Sequence, residues 1–217
     1  MYLTQLKLPR TRQAALLLTR FMGSKYHEHQ VLWELSGRAP DERRDFLYRA
    51  ELTDKGLSVL VLSAKPFTNV QAPWQAEVKE YAPTLQAGQL VAFQLRVAML
   101  SDLSTGDGAR SARTDVIMQR YQALDGALPV NQVGLAVAQE WLAAREAQGG
   151  FKLVEVSFDG YTRHKVTEKG APFMVPASDL TGLVEITNPE QFLKKQLQGY
   201  GRNKFAGLGL MLVRRPF

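Results

Sequence analysis

Four glycines fall within the eleven residues from Gly199 to Gly209, and no other stretch restricts the fold of this 217-residue chain as much. A backbone this poor in Cβ atoms adopts left-handed conformations readily and lies close against whatever it faces, a ligand or another part of the chain. Its flanks are equally definite. Upstream, Asn188 suits a helix N-cap, Pro189 the first helical position, Glu190 the positive end of the helix dipole and Gly199 the C-terminal stop. Downstream, Leu208 to Val213 reads as a closing strand. The segment is not a Walker phosphate loop, because no Gly-Lys-Ser/Thr follows at the required spacing, nor a dinucleotide fingerprint, because the third Gly is missing. Arg202 and Lys204 supply charge for phosphates. It is either a cradle for a polyanion or a Gly-rich turn before an edge strand.

The rest of the chain alternates strand and helix patterns. Tyr2 to Leu8 alternates apolar and polar residues and ends at Pro9, as a strand does. Gln13 to Phe21 and Tyr26 to Leu35 are helical, with Gly23-Ser24 as break or N-cap. Phe46 to Leu52 and Leu57 to Ser63 flank Thr53-Asp54-Lys55-Gly56 as a hairpin would, and Leu90 to Met99 reads as a fourth strand. This order is close to a ferredoxin-like unit. Ser101 to Arg113 is small, polar and Gly-containing, so the expected organisation is one domain over 1–102, a linker over 103–113 and a second domain over 114–217. In the second half, Asn131 to Gln148 is helical, Phe151 to Phe158 and Asp179 to Thr187 are strands, and the capped helix and closing strand follow. The halves share an element order but no sequence repeat.

The formal charge of +6 suits a polyanionic partner, and from Phe192 to Phe217 there are six basic residues and no acidic one. The absence of cysteine excludes disulfides, thiolate catalysis and sulfur-ligated zinc. No apolar run is long enough to span a bilayer and Met1-Tyr2-Leu3-Thr4 lacks a signal-peptide layout, so a cytoplasmic protein with no membrane partner is expected.

Chemistry falls to three histidines, two of them in Lys25-Tyr26-His27-Glu28-His29. On a helix Tyr26 and His29 share a face, while His27 points away. A phenol and an imidazole side by side suit RNA cleavage by the substrate's own 2′-hydroxyl, which needs a base for the 2′ proton and an acid for the departing 5′ oxygen, and no metal. A phenol is a poor base unless its pKa is lowered, which favours His29 for proton transfer and Tyr26 for orientation. The plainer alternative is a half-buried pair on an amphipathic helix. A His-x-His metal site is disfavoured, since His164 is distant and no carboxylate cluster accompanies it; neither metal nor small-molecule cofactor is expected. Tyr161 to Gly170 reads as a basic hairpin, with Arg163 and Lys165 on one side and His164 on the other; it either tracks a nucleic-acid backbone or is solvated surface.

Together these features resemble the CasE family of CRISPR repeat-processing endoribonucleases over nearly the whole chain. That family ends in an acidic or Asn residue before Pro, a helix, then Gly-x-Gly-x-x-Lys-x-x-Gly-x-Gly and an apolar strand; here Asn188-Pro189, Gly199, Gly201, Lys204, Gly207, Gly209 and Leu210 to Val213 match. Its Tyr-x-x-His pair falls on Tyr26 and His29, and Gly88 to Arg96 resembles its Gly-…-Phe-x-Leu-Arg strand. Arg163 and Lys165 fall where relatives carry a basic pair on an RNA-contacting hairpin. Two departures are Val97-Ala98-Met99-Leu100, where Ala-Asn-Pro is usual, and Arg202 in place of a common Pro. The resemblance implies an α+β fold of two tandem ferredoxin-like (RRM-like) domains and metal-independent cleavage leaving a 2′,3′-cyclic phosphate and a 5′-hydroxyl. It also implies retention on the guide RNA beside other Cascade-type subunits. Tyr26 and His29 are then the expected catalytic pair, and Arg163, Lys165, Gly199, Gly201, Arg202, Lys204, Gly207 and Gly209 the expected RNA contacts. The rival readings are a non-catalytic RNA-hairpin-binding module and a small-molecule ferredoxin-like enzyme.

Overall fold

A computed structural model of the protein describes residues 1–103, 112–167 and 172–216. The chain opens with β1 (Tyr2–Pro9), α1 (Ala15–Met22) and α2 (Lys25–Ser36), followed by β2 (Phe46–Thr53), β3 (Gly56–Ser63) and β4 (Gln75–Glu80). The four strands form one antiparallel sheet in the order β2-β3-β1-β4. That is the strand order of a ferredoxin-like unit, except that residues 64–74, where its second helix would lie, form no helix. Alternation decides the faces: Leu6 and Leu8 of β1, Phe46 and Tyr48 of β2 and Val59 and Val61 of β3 bury against Phe21 of α1 and Val31, Leu32 and Leu35 of α2.

The second half comprises β5 (Leu90–Val97), β6 (Leu100–Leu103), β7 (Ala112–Asp115), α3 (Val116–Ala123), α4 (Val130–Ala143), α5 (Glu146–Gly149), β8 (Phe151–Val166), β9 (Phe173–Ile186), α6 (Pro189–Gln198) and β10 (Met211–Arg214). Its main sheet has the order β10-β5-β9-β8, again ferredoxin-like, with helices in both crossovers. Val91, Phe93, Leu95 and Val97 of β5 bury against Val133, Val137, Trp141 and Leu142 of α4 and Phe192 of α6. The fold is α+β, two ferredoxin-like units in tandem.

One expectation is corrected here. β5 was expected to close the first unit, but it pairs with β9 and β10, Leu95 facing Leu180 and Met211. The sheets therefore change over between Glu80 and Leu90, and the stretch expected as a linker at 103–113 lies inside the second unit. Residues 101–103 and 112–114 instead pair within the β6–β7 ribbon, and 104–111 are outside the described residues. Alternating apolar residues made β5 recognisable as a strand; its partners lie about 80 to 120 residues away and leave no local mark.

The two units meet along a continuous seam. Leu3, Leu47 and Leu62, on the face of the first sheet away from its helices, pack with Leu197, Leu210 and Leu212. Farther along, the outer half of the long β8–β9 hairpin contributes Val166, Val175 and Ala177 to a cluster with Ala98, Ala206, Leu208 and Tyr26. Arg49 of β2 also reaches Asp179 of β9 at 3.5 Å, a carboxylate that accepts from Arg96 Nε at 2.8 Å.

Candidate functional site

Helix α2 runs along this seam. Ser24 caps it, its hydroxyl accepting from the His27 amide at 3.1 Å. Glu28, only 5% exposed, accepts from Lys25 Nζ at 2.7 Å and from the Tyr48 hydroxyl at 3.1 Å. The same phenol lies 2.8 Å from the Phe205 carbonyl, which ties the Gly-rich loop to α2 and β2. Burial pushes the Glu28 carboxyl pKa up against the pull of Lys25.

Tyr26 and His29 leave the helix toward different neighbours. Tyr26 packs on the seam cluster of Ala98, Val166 and Leu208, with the His27 ring 6.2 Å away. His29 lies against the first unit, its ring 6.1 Å from Trp33 and 6.0 Å from Phe46. Its Nδ1 is buried without a hydrogen-bond partner. Burial, and then the nearby Arg44 guanidinium, lower the His29 pKa to about 4. At neutral pH His29 is therefore an uncharged imidazole able to accept a proton. The structure places both expected residues on one helix but shows no contact between their rings. His27, whose ring neighbours Tyr26, is exposed.

The Gly-rich loop is folded back on the protein. Gly199, Gly201, Gly207 and Gly209 all have positive φ, from 68° to 89°. A Cβ on Gly201 would stand 2.7 Å from Val97 Cγ2 and 2.9 Å from the Ala98 carbonyl oxygen; one on Gly209 would stand 2.5 Å from the Tyr200 carbonyl oxygen. The glycines are thus demanded by the loop's own packing on β5 and on itself. Gly201→Val should accordingly destabilise the RNA-free protein by about 2 to 4 kcal/mol, from a left-handed backbone plus overpacking, which a lowered urea midpoint at unchanged slope would record.

The loop's cations face two ways. Arg202 pairs with Asp102 at the base of the β6–β7 ribbon. Lys204 donates to the Gln198 carbonyl at 2.6 Å, and burial, Lys195 and Arg44 lower its pKa. Arg163 and Lys165 are exposed on β8, opposite Pro176 and Met174. His164 between them is half-buried, its Nε2 3.3 Å from Thr162 Oγ1, with its pKa lowered by burial and by Lys25 and Arg96. Glu168 to Gly170, at the end of the expected hairpin, lie outside the described residues.

Arg44 was not anticipated. It is half-buried just before β2, its guanidinium 5.9 Å from the Phe46 ring centroid, and shares an open pocket of about 350 Å³ with Asp45, Phe46, Gln198 and Lys204. In sequence it stands in Asp41-Glu42-Arg43-Arg44-Asp45, a mixed-charge run that reads as solvated surface. Among the described residues, no three His, Asp or Glu side chains gather as a metal site, and no helix is long and apolar enough to cross a membrane.

A family model described as CRISPR associated protein matches residues 1–215. The chain belongs to that family. Among solved structures, a CRISPR endoribonuclease Cse3 bound to a 19-nucleotide RNA is 26% identical, with a TM-score of 0.77 over 99% of this chain and 100% of that one. Thermus thermophilus Cse3, bound to an RNA representing a pre-cleavage complex, is also 26% identical, with a TM-score of 0.75 over 98% of each chain. A chain of a CRISPR RNA-guided surveillance complex, 21% identical with a TM-score of 0.67 over the whole of both chains, shares the fold. No curated protein gave a match.

Proposed function

We propose that this CRISPR associated protein is a metal-independent endoribonuclease that cuts repeat RNA beside a hairpin and then stays on the mature guide RNA as a subunit of a Cascade-type effector in the cytoplasm. The likeness to RNA-bound Cse3 over the full chain supports the substrate class. The observation that carries the chemistry is His29: an imidazole on α2, uncharged at neutral pH, with the Arg44 cation nearby. In the reaction the 2′-oxygen attacks the adjacent phosphorus, its proton passes to a base, the bond to the 5′-oxygen breaks and that oxygen takes up a proton. The products are a 2′,3′-cyclic phosphate and a 5′-hydroxyl. His29 serves proton transfer, and Tyr26, held by the seam cluster, orients the RNA strand at the cut.

Arg163 and Lys165 project from the β8–β9 hairpin to meet the RNA backbone, with Arg202 and Lys204 extending the basic surface. Replacing Arg163 and Lys165 together by Ala should weaken hairpin binding and lower the log–log salt slope by about 1.4 to 1.8, since each phosphate contact is worth about 0.7 to 0.9. An unchanged slope would leave the hairpin off the RNA path. Incubation with hairpin repeat RNA in EDTA tests the activity: cut RNA supports the enzyme, whereas tightly bound intact RNA points to an RNA-holding module.

A further inference from the structure

The pocket lined by Arg44 and Phe46 holds a cation that no carboxylate among the described residues neutralises. Among the described residues Arg44 makes no hydrogen bond and no ion pair, although it is half-buried. The carboxylate lining the same pocket, Asp45, is already engaged: Arg38 binds its two oxygens through Nε and, at 2.9 Å, through a terminal nitrogen, and the Lys65 amide donates to it at 3.1 Å. Lys204 lines the pocket as well, with its Nζ on the Gln198 carbonyl. Phe46 joins this pocket to the imidazole, since the His29 ring and the Arg44 guanidinium lie 6.0 Å and 5.9 Å from its ring centroid.

A half-buried guanidinium without a counter-ion is costly to the folded protein, because its lost hydration is not replaced. An anionic ligand replaces it, and the planar fork of arginine matches two oxygens of a phosphate. We infer that this pocket seats the RNA phosphodiester at the cut, with Arg44 as its anchoring cation and Lys204 as the second. The inference rests on the reading of the protein as an RNA-cleaving enzyme and names the group that holds the reacting phosphate. As the 2′-oxygen attacks, negative charge grows on the non-bridging oxygens, where the guanidinium N–H groups stabilise it. The bound anion also offsets the repulsion between Arg44 and a protonated His29, so the imidazole becomes a better proton acceptor once the phosphate is in place. The charge that bears on His29 is that of Arg44; Arg38, held by Asp45, lies 5.7 Å from the centroid of the same Phe46 ring, and Lys204 shares the Arg44 pocket.

Arg44→Gln and Arg44→Lys in the full chain test this. Without RNA, Arg44→Gln should melt at or above the wild-type temperature, since it removes an unpaired charge. His29 titrated by NMR should show a midpoint that rises when inorganic phosphate is added to the wild type. In Arg44→Gln the midpoint should start higher and not respond. Single-turnover cleavage of a hairpin RNA that the wild type cuts should slow about 100-fold in Arg44→Gln, in the range of a lost transition-state hydrogen-bond donor, and recover in part in Arg44→Lys. A wild-type His29 midpoint indifferent to phosphate overturns the inference. So does an Arg44→Gln protein that cuts at the wild-type rate, or one that melts early yet responds to phosphate as the wild type does. If the wild type cuts no hairpin RNA, the endoribonuclease reading fails and the phosphate titration alone decides the pocket.

Discussion

His29→Ala should slow single-turnover cleavage of hairpin repeat RNA by about 100-fold or more while changing hairpin affinity little, because a positioned proton-transfer group contributes on the order of 10² to 10⁴ in rate. His27→Ala, which removes an exposed side chain on another face of α2, should cost far less. The pH profile adds an independent check. The free His29 pKa is held down to about 4, so the neutral imidazole required of a base persists from neutral pH down to that value. The acid limb of kcat/KM, which reports the free enzyme, should then fall near pH 4 rather than near the 6.5 of an unperturbed histidine. A limb near 6.5, or a His29→Ala protein as active as the wild type, would remove His29 from the proton-transfer role.

Much of the architecture was legible because local pattern and tertiary environment agree. In β1, Leu6 and Leu8 alternate with polar residues because one face of the strand meets α1 and α2, and Asn188, Pro189 and Gly199 mark the ends of α6 through its own unpaired backbone groups. Where the fold depends on distant partners, that correspondence lapses. β4 escaped recognition because all six of its residues are exposed, so no apolar face marks it. β5 was seen as a strand but placed in the wrong sheet, since pairing with β9 and β10 follows from the whole topology. The glycines of the loop stood out as soon as the sequence was read, yet their positive φ angles serve contacts with Val97, Ala98 and Tyr200 that only the folded chain reveals.

The site divides in the same way. Helical spacing put Tyr26 and His29 on one face of α2, but the two positions are offset around the helix, and in the folded chain one ring packs on the seam cluster and the other on Phe46. Arg44 carried no signal at all. Only the folded chain brings it into a pocket with Gln198 of α6 and Lys204 of the Gly-rich loop, and a mixed-charge run gives no hint that one of its arginines has no ion-pair partner among the described residues.

A repeat RNA with 2′-deoxy sugar at the cleaved nucleotide should bind as tightly as the all-RNA hairpin and not be cut at all, since the missing oxygen is the proposed nucleophile. The loss should exceed that of any single side-chain replacement, because no residue of the protein substitutes for the attacking atom. Cleavage of the deoxy substrate at the same position would mean that water or a side chain attacks instead.

The central claim, internal attack without a metal, is tested most directly by the mass of the two RNA ends formed when the wild-type protein cuts hairpin repeat RNA in excess EDTA. The account predicts an undiminished rate, a 2′,3′-cyclic phosphate on the upstream fragment and a 5′-hydroxyl on the downstream one. A 3′-hydroxyl facing a 5′-phosphate, or cleavage that stops in EDTA and returns with Mg²⁺, would contradict it.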